Sequence, residues 1–244
     1  MRFPLLAACL LVLNACGTVQ PPQEVHVAAA ANLGKTLNAL DAAFEAKTHV
    51  HVVPSLGATV QLATQIENGG PFDVFLSADV DHVDSLVKSN ALDPQSRAIY
   101  ARGRLVVWTA SRTSPKDLQE LTGARAIAIA KPELAPYGAA AVESLQNLGL
   151  WDRLQPRVVY ASSVSTAKEY ADTGNAEAAF TALSLVFGEP GHYFPVDDSQ
   201  HKPIDQALGI VRRAPQPALG RQFADFVLSP EGKAILTQAG YGTP

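Results

Sequence analysis

Four short stretches hold the residues best placed to do chemistry. They are Ala28-Ala29-Ala30-Ala31-Asn32, Pro54-Ser55-Leu56-Gly57-Ala58-Thr59, Lys131 to Gly138 (KPELAPYG) and Ala161-Ser162-Ser163-Val164-Ser165-Thr166. Each follows an apolar run that reads as a strand and opens a helical pattern. Helix starts expose free N–H groups and roughly half a positive charge. In open α/β sheets, ligands gather at the carboxyl ends of strands, where such starts lie. Asn32 offers an amide, Thr59 a hydroxyl, and Gly57 lets backbone approach closely. Pro136 stiffens the third turn and places Tyr137 at the helix start. One such junction alone is an ordinary N-cap. Four together, with no basic residue at any cap, make a site rich in donors and poor in formal charge. That suits a small, compact anion held by backbone N–H, hydroxyl and amide groups. A charged hydrogen bond contributes about 1.5–3 kcal/mol net, so about five to seven of them reach micromolar to nanomolar binding after ordering costs.

The elements that must position these junctions alternate. Strands are expected at Val25–Ala29, Val50–Val53, Asp73–Leu76, Leu105–Trp108, Ala126–Ile129, Val158–Tyr160, Ala178–Thr181, His192–Pro195 and Leu208–Val211. Helices are expected at Leu33–Glu45, Val60–Glu67, Asp81–Ser89, Ala139–Leu148, Ser165–Asp172, Arg221–Leu228 and Pro230–Ala239. Alternation of this kind marks α/β architecture with mostly parallel sheets. One set precedes Leu105 and another follows it. The late strand and the two terminal helices need a sheet to pack on, so they are expected to return to the first set. The result is two lobes with a ligand cleft between them, joined by two crossing segments near Leu105–Trp108 and Ala207–Arg212. The expected divisions are 24–106 with 208–244 for lobe 1, and 107–207 for lobe 2.

The first residues are a separate object. Met1-Arg2 precedes an apolar run from Phe3 to Leu13, which is shorter than the roughly 20 residues a bilayer needs. It reads as an export signal over 1–15, followed by a tether over 16–24. Leu13-Asn14-Ala15-Cys16-Gly17 resembles a lipobox, with Cys16 as the lipidated residue; the alternative is an ordinary signal peptide cut nearby. Both cysteines, Cys9 and Cys16, lie in this leader, so the body has no disulfide, thiolate metal site or Cys nucleophile. The net charge of -4, with no Lys/Arg block, argues against nucleic acid. The sequence contains no Gly-x-Ser-x-Gly, His-Glu-x-x-His, Walker or Rossmann pattern, and Ser162-Ser163 lacks a placed base, so enzyme readings are poor. Asp73 and Asp79 read as loop caps, Lys131 as solvated surface, and Trp108 and Trp151 as packing. His26, His49 and His51 lack further metal ligands, and His192 and His201 read as surface.

The chain resembles the periplasmic molybdate-binding proteins of ABC importers, in the type II solute-binding fold, from about Val25 to Tyr241. The resemblance is carried by VAAAANL, Gly57-Ala58-Thr59 with QLATQIENG, PFDVFLSAD (Pro71–Asp79) and RGRLVVW (Arg102–Trp108). KPELAPYGAAAVESLQNLGLWD (Lys131–Asp152), FTALS (Phe180–Ser184) and FVLSPEGKAIL add to it. It implies a tetrahedral oxyanion held by neutral donors. Asn32 would use its backbone N–H, its side chain or both, and Thr59 its hydroxyl and N–H. Tyr137 and Val164 would give N–H groups, with Ala31 and Ala58 beside them as backbone candidates. Some members have Ser where this chain has Asn32 and Thr59. Some place a Tyr hydroxyl on the ligand where this chain has Ala182, so the Tyr137 phenol is a candidate substitute. The implied ligand is molybdate or tungstate, with sulfate or another small oxyanion as the alternative and an enzyme or sensor on the same scaffold as a further one. Molybdate and tungstate are unprotonated dianions that only accept hydrogen bonds, whereas protonated phosphate wants a carboxylate. The implied working unit is a monomer without a cofactor, periplasmic or anchored through Cys16, closing on the anion and docking on a membrane permease.

Overall fold

The computed structural model describes residues 23–110 and 115–243. The export signal, Cys16 and nearly all of the tether lie outside the described residues. β1 (Glu24–Ala30) passes through a 3-10 turn at Ala31–Leu33 into α1 (Gly34–Thr48). β2 (His51–Gly57) leads to α2 (Thr59–Glu67), and β3 (Val74–Leu76) to α3 (Asp81–Lys88). β4 (Ala98–Gly103) and β5 (Leu105–Thr109) follow almost without a break. Then come β6 (Ile127–Ala130), α4 (Pro136–Asn147), α5 (Trp151–Leu154), β7 (Val158–Ala161), α6 (Val164–Asp172), β8 (Ala178–Ala182) and α7 (Leu183–Val186). β9 (His192–Pro195), β10 (Ile204–Ile210), α8 (Pro217–Leu228) and α9 (Pro230–Gln238) complete the order.

Two five-stranded sheets result, ordered β2-β1-β3-β10-β4 and β7-β6-β8-β5-β9. The β1 pairings with β2 and β3 are parallel, as are those of β6 with β7 and β8. β10 and β5 each run antiparallel to both neighbours. On one face of the first sheet, Leu37, Leu40 and Phe44 of α1 pack with Phe223 of α8. The Phe44 and Phe223 rings meet edge to face at 5.1 Å. On the other face lie Leu62, Ile66, Phe75 and Leu86. Trp108, Ile129, Leu145 and Phe180 anchor the second lobe's core.

The crossings fall slightly earlier than the sequence suggests. The chain leaves the first sheet at Gly103, enters the second at Leu105 and returns at Ile204. Leu105–Trp108, expected as a crossing segment, belongs wholly to the second sheet and is buried throughout. Strand β4, not expected, is broken up in sequence by Arg97, Arg102 and Gly103. β2 runs four residues past its expected end, through Pro54. It is an edge strand, where a missing N–H is tolerated. α4 and α8 start earlier than their apolar patterns do, because Pro136 and Pro217 occupy the first helical positions.

The two lobes touch across the cleft. The Val60 N–H donates to Leu134 O at 3.3 Å, and Ser184 Oγ donates to Asn32 O at 2.8 Å. Lys35 pairs with Glu189.

Candidate functional site

Three of the four junction helices begin without a side-chain cap. Their N-cap residues are Ala30, Ala58 and Ala135, and none has a side chain able to accept the first N–H groups. Alanine in place of a Ser, Thr, Asn or Asp cap costs about 0.5–2 kcal/mol. The fourth start, on α6, has the ordinary cap: Ser163 Oγ accepts from the Thr166 N–H at 3.1 Å.

These starts converge on one small cavity of about 10 Å³. All six expected residues line it: Ala31 and Asn32, Ala58 and Thr59 from the first lobe, Tyr137 and Val164 from the second. Gly57, Ala78 and Pro136 complete much of the wall, and neither a carboxylate nor a cation lines it. Thr59 is 1% exposed, and its Oγ1 accepts from the Ala78 N–H at 3.2 Å, which leaves the hydroxyl proton to be given elsewhere. Tyr137 is the second residue of α4, so its N–H has no intrahelical acceptor. Gly138 lets that helix start close against β6; a Cβ there would stand 2.1 Å from Ala130 O.

The Tyr137 phenol, a candidate substitute donor, is engaged with Gln206. Its Oη accepts from Gln206 Nε2 at 2.9 Å, in a space open only because residue 103 is glycine: a Cβ there would lie 2.2 Å from that oxygen. The Asn32 side chain is also engaged inward. Its Nδ2 lies 3.0 Å from Gln206 Oε1 and 2.9 Å from Tyr241 Oη, while its Oδ1 is buried without a partner. Tyr100 joins the same cluster, donating toward Gln206 Oε1 at 2.8 Å and Ser77 O at 3.0 Å. Burial pushes the Tyr100 and Tyr137 phenols well above their ordinary range and Tyr241 up to about 12, so all three stay neutral hydrogen-bonding groups. Sequence reading misses this cluster, since its bonded side-chain pairs are 69 to 209 residues apart and no local pattern joins them.

The remaining candidates are structural. Asp73 is fully buried and accepts from the His26 N–H at 2.8 Å and the Gln216 N–H at 2.6 Å. Asp79 Oδ2 lies 2.7 Å from His82 Nδ1, and Lys131 is exposed. His49 ends α1 in the left-handed conformation, and His51 pairs with Glu45. Trp108 is core and donates its indole N–H to Asp172 at 2.7 Å, and Trp151 packs beside the same core. His201, read as surface, is instead 6% exposed, with Nδ1 2.7 Å from Lys202 O. A polar loop around it hides the fact that the loop folds back onto the second lobe. Among the described residues, no group of three or more His, Cys, Asp or Glu could hold a metal ion.

Known proteins resemble this chain along most of its length. The model of the family described as bacterial extracellular solute-binding protein matches residues 25–242. The chain belongs to that family. Within it, the chain is 39% identical over 223 residues to the molybdate-binding protein ModA of Rhodobacter capsulatus, covering 90% of this chain and 88% of that one. A putative ABC transporter substrate-binding lipoprotein of Bacillus subtilis is 27% identical over 97% of this chain and 95% of its own. Among solved structures, the periplasmic molybdate-binding protein of Azotobacter vinelandii superposes with a TM-score of 0.86 at 34% identity, covering 90% of this chain and 99% of that one. The sulfate-binding protein SubI of Mycobacterium tuberculosis, at 15% identity and a TM-score of 0.79 over 90% of this chain and 86% of that one, shares the fold. These relatives bind solutes for transporters and are not enzymes, in line with the missing base–nucleophile pair. This solute-binding protein therefore works outside the cytoplasm, and no helix among its described residues is long and apolar enough to cross a membrane.

Proposed function

We propose that this solute-binding protein captures molybdate or tungstate and delivers it to the permease of an ABC importer. The observation that carries the reading is the convergence of alanine-capped helix starts on one cavity without a charged side chain. Asn32, Thr59, Tyr137 and Val164 are the principal donors, with Ala31 and Ala58 beside them. The helix dipoles offset the dianion's charge without the desolvation that buried lysines would suffer. Phosphate, partly protonated, finds no carboxylate to receive its proton. Sulfate is also an unprotonated dianion but smaller, so the fit of the cavity would have to tell it apart from molybdate. Because donors come from both lobes, the anion favours the closed form, which is the form a permease would recognise. The protein acts as a monomer, and the metal is cargo rather than cofactor.

Calorimetry of the mature protein with molybdate, tungstate, sulfate and phosphate tests this. Submicromolar binding of the first two, with sulfate about a hundredfold weaker (roughly 2.7 kcal/mol), is expected. Equal or tighter sulfate binding overturns the cargo assignment. Export and anchoring belong to the same proposal: residues 1–15 are removed and Cys16 carries lipid. The mass of the mature protein from membranes shows the added lipid, and Cys16→Ser releases the protein; an unmodified mature chain contradicts the anchor.

A further inference from the structure

Gln206 sits on β10 beside the crossing between lobes and is fully buried. The atoms around its amide admit two arrangements of protons. In the first, Asn32 Nδ2 donates to Gln206 Oε1 and Tyr241 Oη, and Gln206 Nε2 donates to Tyr137 Oη. Three faults follow. Tyr100 has one phenolic proton but two acceptors, Ser77 O at 3.0 Å and Gln206 Oε1 at 2.8 Å. The phenolic proton of Tyr137 meets no acceptor. Asn32 Oδ1 is buried and unpartnered. Leaving buried polar atoms unpaired is costly.

The two ends of an amide have nearly the same shape. Turning both amides end for end removes the first two faults and moves the third from the Asn32 oxygen to its NH₂. Gln206 Nε2 then donates to Tyr100 and to Asn32 Oδ1, and its Oε1 accepts from Tyr137. Tyr100 gives its proton to Ser77 O. Tyr241, whose hydroxyl otherwise donates to the Asn32 main-chain oxygen at 3.0 Å, gives its proton to Asn32 Oδ1 instead, and that main-chain oxygen keeps the Ser184 hydroxyl at 2.8 Å. Turning Asn32 alone fails, because two acceptor oxygens would face each other at 3.0 Å. One group is left over: the Asn32 NH₂, buried, on a residue that lines the cavity. It takes the position where the amide oxygen was buried without a partner, and an oxyanion in the cavity would supply an acceptor there.

We infer that Gln206 is the positioning residue that turns the Asn32 side-chain amide toward the bound oxyanion and, through Tyr137, ties that orientation to the second lobe. The inference rests on the oxyanion reading above. Because the three phenols stay neutral, the arrangement holds across the working pH range.

The test is a double-mutant cycle on molybdate affinity with Gln206→Met, which keeps length and removes both amide contacts, and Asn32→Ala. Losing one charged hydrogen bond predicts a roughly 10- to 150-fold weaker Kd for Gln206→Met. In the Asn32→Ala background the same change should cost much less, because its target is gone. No loss in the single variant, or an equal loss in both backgrounds, overturns the inference. Should Gln206→Met not fold, the unaltered protein still decides. With ¹⁵N-labelled asparagine, the Asn32 side-chain amide pair, assigned by its disappearance in Asn32→Ala, should shift and exchange more slowly with molybdate. Backbone amides of Asn32 and Thr59 that shift while the side-chain pair stays still overturn it. If neither backbone nor side chain responds and calorimetry shows no heat, the oxyanion reading itself has failed, and this inference with it.

Discussion

Ala58 begins α2 with extended backbone, φ -68° and ψ 143°, the conformation a capping residue uses, yet has no oxygen to cap with. Ala58→Ser should therefore stabilise the ligand-free protein by about 0.5–1 kcal/mol in denaturant unfolding while weakening molybdate binding, since the new hydroxyl competes for the same N–H groups. A gain in both would mean those groups do not serve the ligand. Asp41 poses a different problem. It is buried on α1 one turn before Glu45, and burial first, then that neighbour, raises its pKa to about 7. A raised carboxyl favours the fold while protonated, so its contribution is full below about pH 4 and is lost as pH rises toward 7. Asp41→Asn should change stability little at pH 4 and raise it by up to roughly 4 kcal/mol above pH 7, in paired unfolding curves. A pH-independent difference would contradict this. Residues at the four junctions were legible because punctuation between strand and helix is local. The partners that fix Asn32, namely Gln206 and Tyr241, were not, because only tertiary folding brings them together.

In the proposed site, rigid elements aim most of the donors as backbone groups. α4 can point its first N–H groups into the cavity only while its start lies tight against the end of β6. Gly138→Ala would place a carbon 2.1 Å from Ala130 O, so the helix start must move. The expected result is a stability loss of about 1–3 kcal/mol by thermal unfolding together with weaker binding; unchanged affinity would show that the position of α4 is not critical. At this scale the sequence was a partial guide. Buried parallel strands such as β1 and β6 are short apolar runs and read clearly. β4 did not, because it lies at a sheet edge and Arg102 turns outward to pair with Asp205 at 2.6 Å. Prolines misled in both directions: Pro136 and Pro217 begin helices, and Pro54 lies inside an edge strand.

For the whole molecule, the architecture divides one binding site between two bodies joined by two crossings, so occupancy and shape are linked. Scattering in solution should show a smaller radius of gyration with molybdate than without it; an unchanged radius would mean that closure does not depend on ligand. Direct contacts between the lobes, Val60 with Leu134, Ser184 with Asn32, Lys35 with Glu189 and Tyr137 with Gln206, hold them together, and in the proposed site the anion's bonds to both lobes would add to them. The central claim is the position of the anion. A crystal of the protein grown with molybdate, measured at the molybdenum absorption edge, locates it by anomalous scattering. The account predicts one strong peak in the cavity between Ala58 and Tyr137, with anion oxygens about 2.7–3.1 Å from the N–H groups of Asn32, Thr59, Tyr137 and Val164. A peak elsewhere, or oxygens held by lysine or arginine side chains, would contradict it.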